Sequence, residues 1–211
     1  MVGSYPVTFD VDYPDRDLDR FSTAFRILFV IPIAIVLSLL TGASTHYGTT
    51  AHGGTNETVT LVTGGGVLFL PLVLMILFRQ KYPRWWFDWN LQLLRFNARV
   101  AAYLVLLDDR YPSTDEEQSV HLELPYPDAH RLNRWLPLIK WLLAIPHYIV
   151  LFFLVIAALV AVIVAWFAIL FTGRYPRDLF NFVVGVMRWS NRVAGYAFAL
   201  VTDEYPPFRL S

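Results

Sequence analysis

The chain contains no cysteine. Disulfides, thiolate metal sites and a cysteine nucleophile are thereby excluded, and the redox compartment is left unread. It is also poor in charge. Only 16% of its 211 residues are Asp, Glu, Lys or Arg, against about 25% in soluble domains. Seventeen basic residues balance seventeen acidic ones, so no net field would steer the chain to nucleic acid. The remainder is apolar: 56% of residues, with a mean hydropathy of +0.46, above the apolar share of about 45–50% in soluble proteins. This composition predicts an integral membrane protein and excludes an ordinary soluble enzyme.

Two apolar blocks carry that excess. The first holds Phe21–Leu40, interrupted by Arg26, and the uncharged run Thr58–Phe78; a polar loop, Thr41–Gly54, separates them. The second runs from Trp141 to Phe171 without one Asp, Glu, Lys or Arg. A spanning helix needs roughly 20 apolar residues, so the first block predicts two spans. The second is too long for one straight helix and slightly short for two. Arg16, Arg20 and Arg26 lead into the first block, and Arg79, Lys81 and Arg84 follow it. Arg131, Arg134 and Lys140 lead into the second, and Arg174 and Arg177 follow it. Basic residues favour the cytoplasmic side, so each block is expected to be a hairpin with both ends inside. The second would turn near Val155–Leu159. The acidic stretch from Asp10 to Asp19 gives no basic start for a cleavable signal peptide.

Features recur in order along the chain. Phe78-Arg79-Gln80-Lys81-Tyr82-Pro83-Arg84 is answered by Phe171-Thr172-Gly173-Arg174-Tyr175-Pro176-Arg177. Arg95, Arg99 and Tyr103 match Arg188, Arg192 and Tyr196, while Arg20, Arg26 and Pro32 match Arg134, Lys140 and Pro146. Before each block an alternating stretch, Val7–Val11 or Val120–Leu124, reads as a strand. The expected fold class is an all-α polytopic membrane protein with four spans and a small cytoplasmic β element. It is read as a tandem repeat of short strand, transmembrane hairpin and interfacial amphipathic helix. The first repeat is 1–112, with spans at about 21–41 and 58–78 and an interfacial helix at about 85–107. The second is 113–211, with a hairpin at about 135–172 and an interfacial helix at about 178–201.

The third helix of each unit carries the candidate site. Asp88, Gln92, Arg95 and Arg99 fall on one helical stripe, matched by Asn181, Gly185, Arg188 and Arg192. As true spans these helices would bury two Arg each at about 2.5–3.5 kcal/mol apiece; lying in the cytoplasmic interface avoids that cost. Arg95, Arg99, Arg188 and Arg192 are therefore candidates for anionic-lipid or partner contact, with Trp85, Trp86 and Trp89 as headgroup anchors. Salt bridges to Asp88, Asp108, Asp109 and Asp203 are the structural alternative for the same arginines.

The turn Arg174-Tyr175-Pro176-Arg177, the segment Arg188-Trp189-Ser190-Asn191-Arg192-Val193-Ala194-Gly195-Tyr196 and the close Asp203–Phe208 resemble the bacterial membrane family catalogued as domain of unknown function 4389. The first unit departs from the pattern with Lys81 in place of the first arginine of the turn. The resemblance implies a bacterial inner-membrane location, with both termini expected in the cytoplasm. It implies no catalytic residue.

Other chemistry is weakly signalled. Asp10, Asp12, Asp15, Asp17 and Asp19 lack the spacing, Gly and closing Glu of a calcium loop. His46, His52, His121, His130 and His147 show no helical metal pair. No phosphate loop or nucleophile elbow occurs. Apolar spans without Asp or Glu argue against ion-coupled transport. No catalytic residue, metal site or cofactor is expected, and nucleic acid is not an expected partner. The reading is a non-enzymatic membrane module or accessory subunit, in contact with anionic lipids, a protein partner or copies of itself. A small oligomeric transporter or channel subunit and a lipid-headgroup-modifying enzyme are the alternatives.

Overall fold

A computed structural model describes residues 5–41, 72–114, 116, 118–128 and 132–211. The two alternating stretches pair as antiparallel strands, β1 (Thr8–Val11) and β2 (Val120–Glu123), with Phe9 opposite Leu122 and Val11 opposite Val120. Phe9, Val11, Val120 and Leu122 point into the core, whereas Thr8, Asp10, His121 and Glu123 face out. An isolated pair of strands is marginal in water. This one is held by helices on its inner face.

Those helices are α3 (Arg84–Leu104), which packs on β2, and α6 (Arg177–Ala197), which packs on β1. Each starts on a proline, Pro83 or Pro176, whose missing N–H costs nothing at a helix start. The proline carbonyls accept the first helical bonds, from the N–H of Phe87 at 3.1 Å and of Phe180 at 3.0 Å. Past each end the chain reverses through a leucine with positive φ, Leu106 at 69° and Leu200 at 54°. The left-handed conformation costs about 1–2 kcal/mol for a residue with a Cβ. Both leucine side chains are buried, which offsets that strain.

The apolar segments form a third layer. α1 (Arg20–Ala24) and α2 (Arg26–Thr41) are separated at Phe25, and α2 packs on α3 through Ile33, Phe96 and Val100. α4 (Leu136–Leu143) and α5 (Ile145–Thr172) meet at Ala144 and together make one long apolar unit. The first half of α5 groups with the end of α6, where Ala144 and Leu151 pack with Trp189, Val193 and Tyr196. Its second half, Ala161, Ala165 and Ile169, joins the main core with Phe180 and Val183 from the start of α6. The two helices thus run antiparallel, side by side along their lengths. α5 ends at Gly173, whose φ of 76° places its N–H 2.7 Å from the Ile169 carbonyl.

The expected four-span tandem architecture is overturned. Among the described residues, one helical unit, Leu136–Thr172, is long and apolar enough to cross a membrane. The hairpin expected at about 135–172 is instead a nearly continuous helix. Val155–Leu159 offers no glycine or proline to break the backbone ladder, and the only dislocation falls at Ala144, two residues before Pro146. The expected first span is a five-residue helix followed by α2, of which Arg26–Leu37 is the apolar part. Most of the span expected at 58–78 lies outside the described residues; what is described of it is helical from 72, with a π-helical turn at Met75–Arg79. The two halves are therefore not copies of one hairpin module. The third helices are not free interfacial helices either, because the two strands lie across them.

Candidate functional site

The stripe of arginines on α3 and α6 faces the sheet. Arg95 donates from Nε to the Leu122 carbonyl at 2.9 Å, and Arg188 donates from Nε to the Phe9 carbonyl at 2.8 Å. Phe9 and Leu122 are partners in the strand register. Among the described residues the sheet has two strands, so both are edges and present outward carbonyls that need donors. The two guanidinium groups serve that need from opposite sides.

Arg188 also holds the C-terminal segment, donating to the Leu210 carbonyl at 3.1 Å, and pairs with Asp10 at 2.8 Å. Arg99 donates to the Ser113 carbonyl at 2.8 Å, and Arg192 to the Arg209 carbonyl at 3.3 Å. Gly185 on the same stripe lets that segment cross the helix, since a Cβ there would meet the Leu210 Cβ at 2.9 Å. Arg188, Arg192 and Arg209 line a cavity of about 280 Å³ with Tyr5, Asp10 and Glu123. Burial, then the charges of Arg188 and Arg209, pull the Arg192 guanidinium below its ordinary pKa. Burial also pushes the Tyr5 and Tyr175 phenols well above theirs. The candidate tryptophans divide: Trp85 is 68% exposed and Trp89 49%, while Trp86 packs half-buried against the core.

The acidic lead-in is used as bracing. Asp19 caps α1, accepting from the Ser22 and Phe21 N–H groups, which hold its carboxyl below the usual range. Asp17 pairs with Arg174 at 2.9 Å, Arg16 with Asp109, and Asp12 with His121 at 2.9 Å. A cleft of about 530 Å³ opens beside Asp12, Arg16, Asp108, Ser119 and His121. Ser119 donates to Asp108 there. Among the described residues no group of three or more His, Asp or Glu side chains is placed to hold a metal ion.

Two buried cations stand out that sequence reasoning did not single out. Lys140 is wholly buried; its Nζ lies 2.7 Å from both the Asp203 carboxylate and the Thr202 carbonyl, and 5.1 Å from the Tyr196 ring centroid. Arg26 is 2% exposed, donates from Nη1 to the carbonyls of Tyr103 and Asp108, and lies 4.3 Å over the Tyr103 ring. Their signal was present as the matched basic positions at the starts of the two blocks, read there only as topology markers. His147 is also buried. Its Nδ1 accepts from Trp189 Nε1 at 3.1 Å, and its ring stacks on Phe208 at 4.0 Å between centroids.

Fold and site together describe a layered helical protein with a polar sheet on one side and an apolar helix layer on the other. The family model described as Domain of unknown function (DUF4389) matches residues 134–209. That stretch covers α4, α5, α6 and the arginines Arg188 and Arg192, and the match supports the resemblance carried by those motifs. No curated protein and no solved structure matches the chain.

Proposed function

We propose that this protein is a non-enzymatic module seated in the cytoplasmic leaflet, with its apolar helix layer in lipid and its sheet layer toward the cytoplasm. The observation that carries this reading is the exposed face of α5. One stripe of that helix, from His147 through Leu151, Ala161 and Ala165 to Ile169, is buried. The opposite face leaves Phe152, Phe153, Ile156, Leu159, Val160, Ile163 and Phe167 exposed along its length. Ile27, Leu28, Ile31 and Ile35 of α2 extend the same apolar surface. A soluble monomer rarely exposes a contiguous apolar patch beyond about 300–600 Å².

Lying along the leaflet fits the charges better than crossing it. Arg134 stands before the long helix, and Arg174 and Arg177 stand after it. A crossing helix would leave one of these sets on the outer side, against the charge rule. It would also carry the neighbouring strands, with exposed Asp10 and Glu123, into hydrocarbon. Lipid contact on this reading comes from α2, α5, Trp85 and Trp89; the four arginines of the stripe secure the sheet that faces a protein partner.

Nitroxide labels at Phe153, Leu159 and Phe167 in lipid vesicles test the reading through their depth. Three similar, shallow depths are expected. A progression from one headgroup region to the other would overturn the in-plane seat.

A further inference from the structure

Three arginines line the cavity of about 280 Å³ beside β1, and they come from two elements: Arg188 and Arg192 from α6, Arg209 from the C-terminal segment. Among the described residues only one of the three is in an ion pair. Arg188 holds Asp10 at 2.8 Å and gives its other nitrogens to the Phe9 and Leu210 carbonyls. Arg192 is 7% exposed and has no carboxylate partner among the described residues. Its Nε is sealed, and its Nη1 donates to the Arg209 carbonyl at 3.3 Å. Its Nη2 is neither bonded nor sealed, so that nitrogen is the donor Arg192 brings to the cavity. Arg209 is exposed, and Glu123 stands exposed at the rim, in no ion pair with any of the three.

A nearly buried guanidinium without a counter-ion is costly. Burial, and next the Arg188 and Arg209 charges, hold the Arg192 pKa below its ordinary value, so the three groups repel. An anion between Arg192 and Arg209 relieves that repulsion. Donors that arrive from a helix and from the segment crossing it approach from different directions. This suits the tetrahedral oxygens of a phosphate better than the two coplanar oxygens of a carboxylate. A phosphate also brings about −1.5 to −2 charge at neutral pH and three strong acceptors. The volume lies just below that of ordinary ligand pockets, about 300–1,000 Å³, so the rest of the ligand must be small. We propose that this cavity binds the phosphate of a small phosphate monoester, its oxygens on Arg192 Nη2 and the Arg209 guanidinium, with the Arg188 charge beside them. The site does not require the membrane seat proposed above.

The test is equilibrium dialysis of the full chain, in nonionic detergent and phosphate-free buffer, against radiolabelled inorganic phosphate and, separately, glycerol 3-phosphate. Saturable binding of one phosphate per chain is expected from each. Arg209→Gln changes an exposed side chain and should weaken binding by at least about tenfold. Arg192→Lys keeps the charge but removes Nη2, and the same loss is expected; circular dichroism checks that it folds. Thr8→Trp, at an exposed position of the cavity wall, leaves every arginine in place and should block the site. Glu123→Gln removes a repelling carboxylate and should bind at least as well as the parent. Absence of saturable binding would overturn the proposal, as would unchanged affinity in any of the first three variants. Weaker binding in Glu123→Gln would overturn it too, because the cavity would then serve a cation. So would acetate displacing phosphate at equal concentration, or tighter binding of dioctanoyl phosphatidate, since these would assign the site to a carboxylate or to a lipid headgroup. None of these outcomes bears on the depth of α5 labels in vesicles, so the two readings fail separately.

Discussion

Replacing Asp203 by Asn tests the buried electrostatics at their most exposed point. Lys140 is fully buried, and the Asp203 side chain, 28% exposed, is its only carboxylate partner among the described ion pairs. The amide of Asp203→Asn would keep one oxygen to accept from the Asn133 N–H, now 2.7 Å from the Asp203 carboxylate, and would turn its NH2 toward the Lys140 Nζ, so the change removes both the charge and the acceptor that the ammonium has there. Breaking a buried pair from one side costs about 3–5 kcal/mol, because the remaining ion is left uncompensated. With one member partly solvated the lower end applies, about 3 kcal/mol. For a chain of this size that is a fall of about 6–12 °C in melting temperature. Lys140→Met should behave differently. It removes the buried ion, keeps the packing against Tyr196, and leaves a carboxylate on a side chain 28% exposed, so a smaller loss than that of Asp203→Asn is expected. The double variant should recover most of what Asp203→Asn loses. Melting followed by circular dichroism in detergent reads all three. If Asp203→Asn were silent, or Lys140→Met the more damaging, the pair would not be the compensated buried ion described here.

Two further expectations follow from the site geometry. Arg188→Met removes donors to Phe9 and Leu210 and should cost about 1.5–3 kcal/mol in all; limited proteolysis would release the C-terminal segment first. Asp10→Asn, which touches only the exposed member of the Arg188 pair, should cost no more than about 1 kcal/mol, and an equal loss from both would refute the carbonyl-clamp account. The Asp19 cap should respond to acid. Its carboxyl is held below the usual value by the Ser22 and Phe21 N–H groups, so its contribution is complete above the ordinary carboxylate range and is lost as pH falls through the lowered folded value. Protection of the Ser22 and Thr23 amides, taken as their exchange relative to the intrinsic rate at each pH, should fall in acid; protection that falls near neutral pH instead would contradict that sign.

Several elements were legible without the fold. Alternation at Val7–Val11 and Val120–Leu124 specified strands, because side chains alternate faces and only one face of each is apolar. Arg95, Arg99, Arg188 and Arg192 were recognisable as one stripe from helical spacing alone. What that stripe touches was not legible, since a guanidinium suits a phosphate, a carboxylate or a backbone carbonyl equally well by residue type. Only the pairing of strands separated by more than a hundred residues supplied the carbonyls of Phe9 and Leu122.

The long apolar run shows the same division. Its sequence determined that no charge could sit between Trp141 and Phe171 and that both flanks are basic. Hydropathy has no direction, so it could not say whether the run folds back, crosses or lies flat. That it does not fold back was decided by α6, which presents an apolar face along α5 from Ala144 to Ile169. Continuous packing favours a continuous helix, and nothing at Val155–Leu159 lowers the cost of breaking one. The burial of Lys140 and Arg26 belongs to the same class. The sequence placed a cation at the start of each block, but only tertiary packing gave one of them a carboxylate and the other backbone carbonyls.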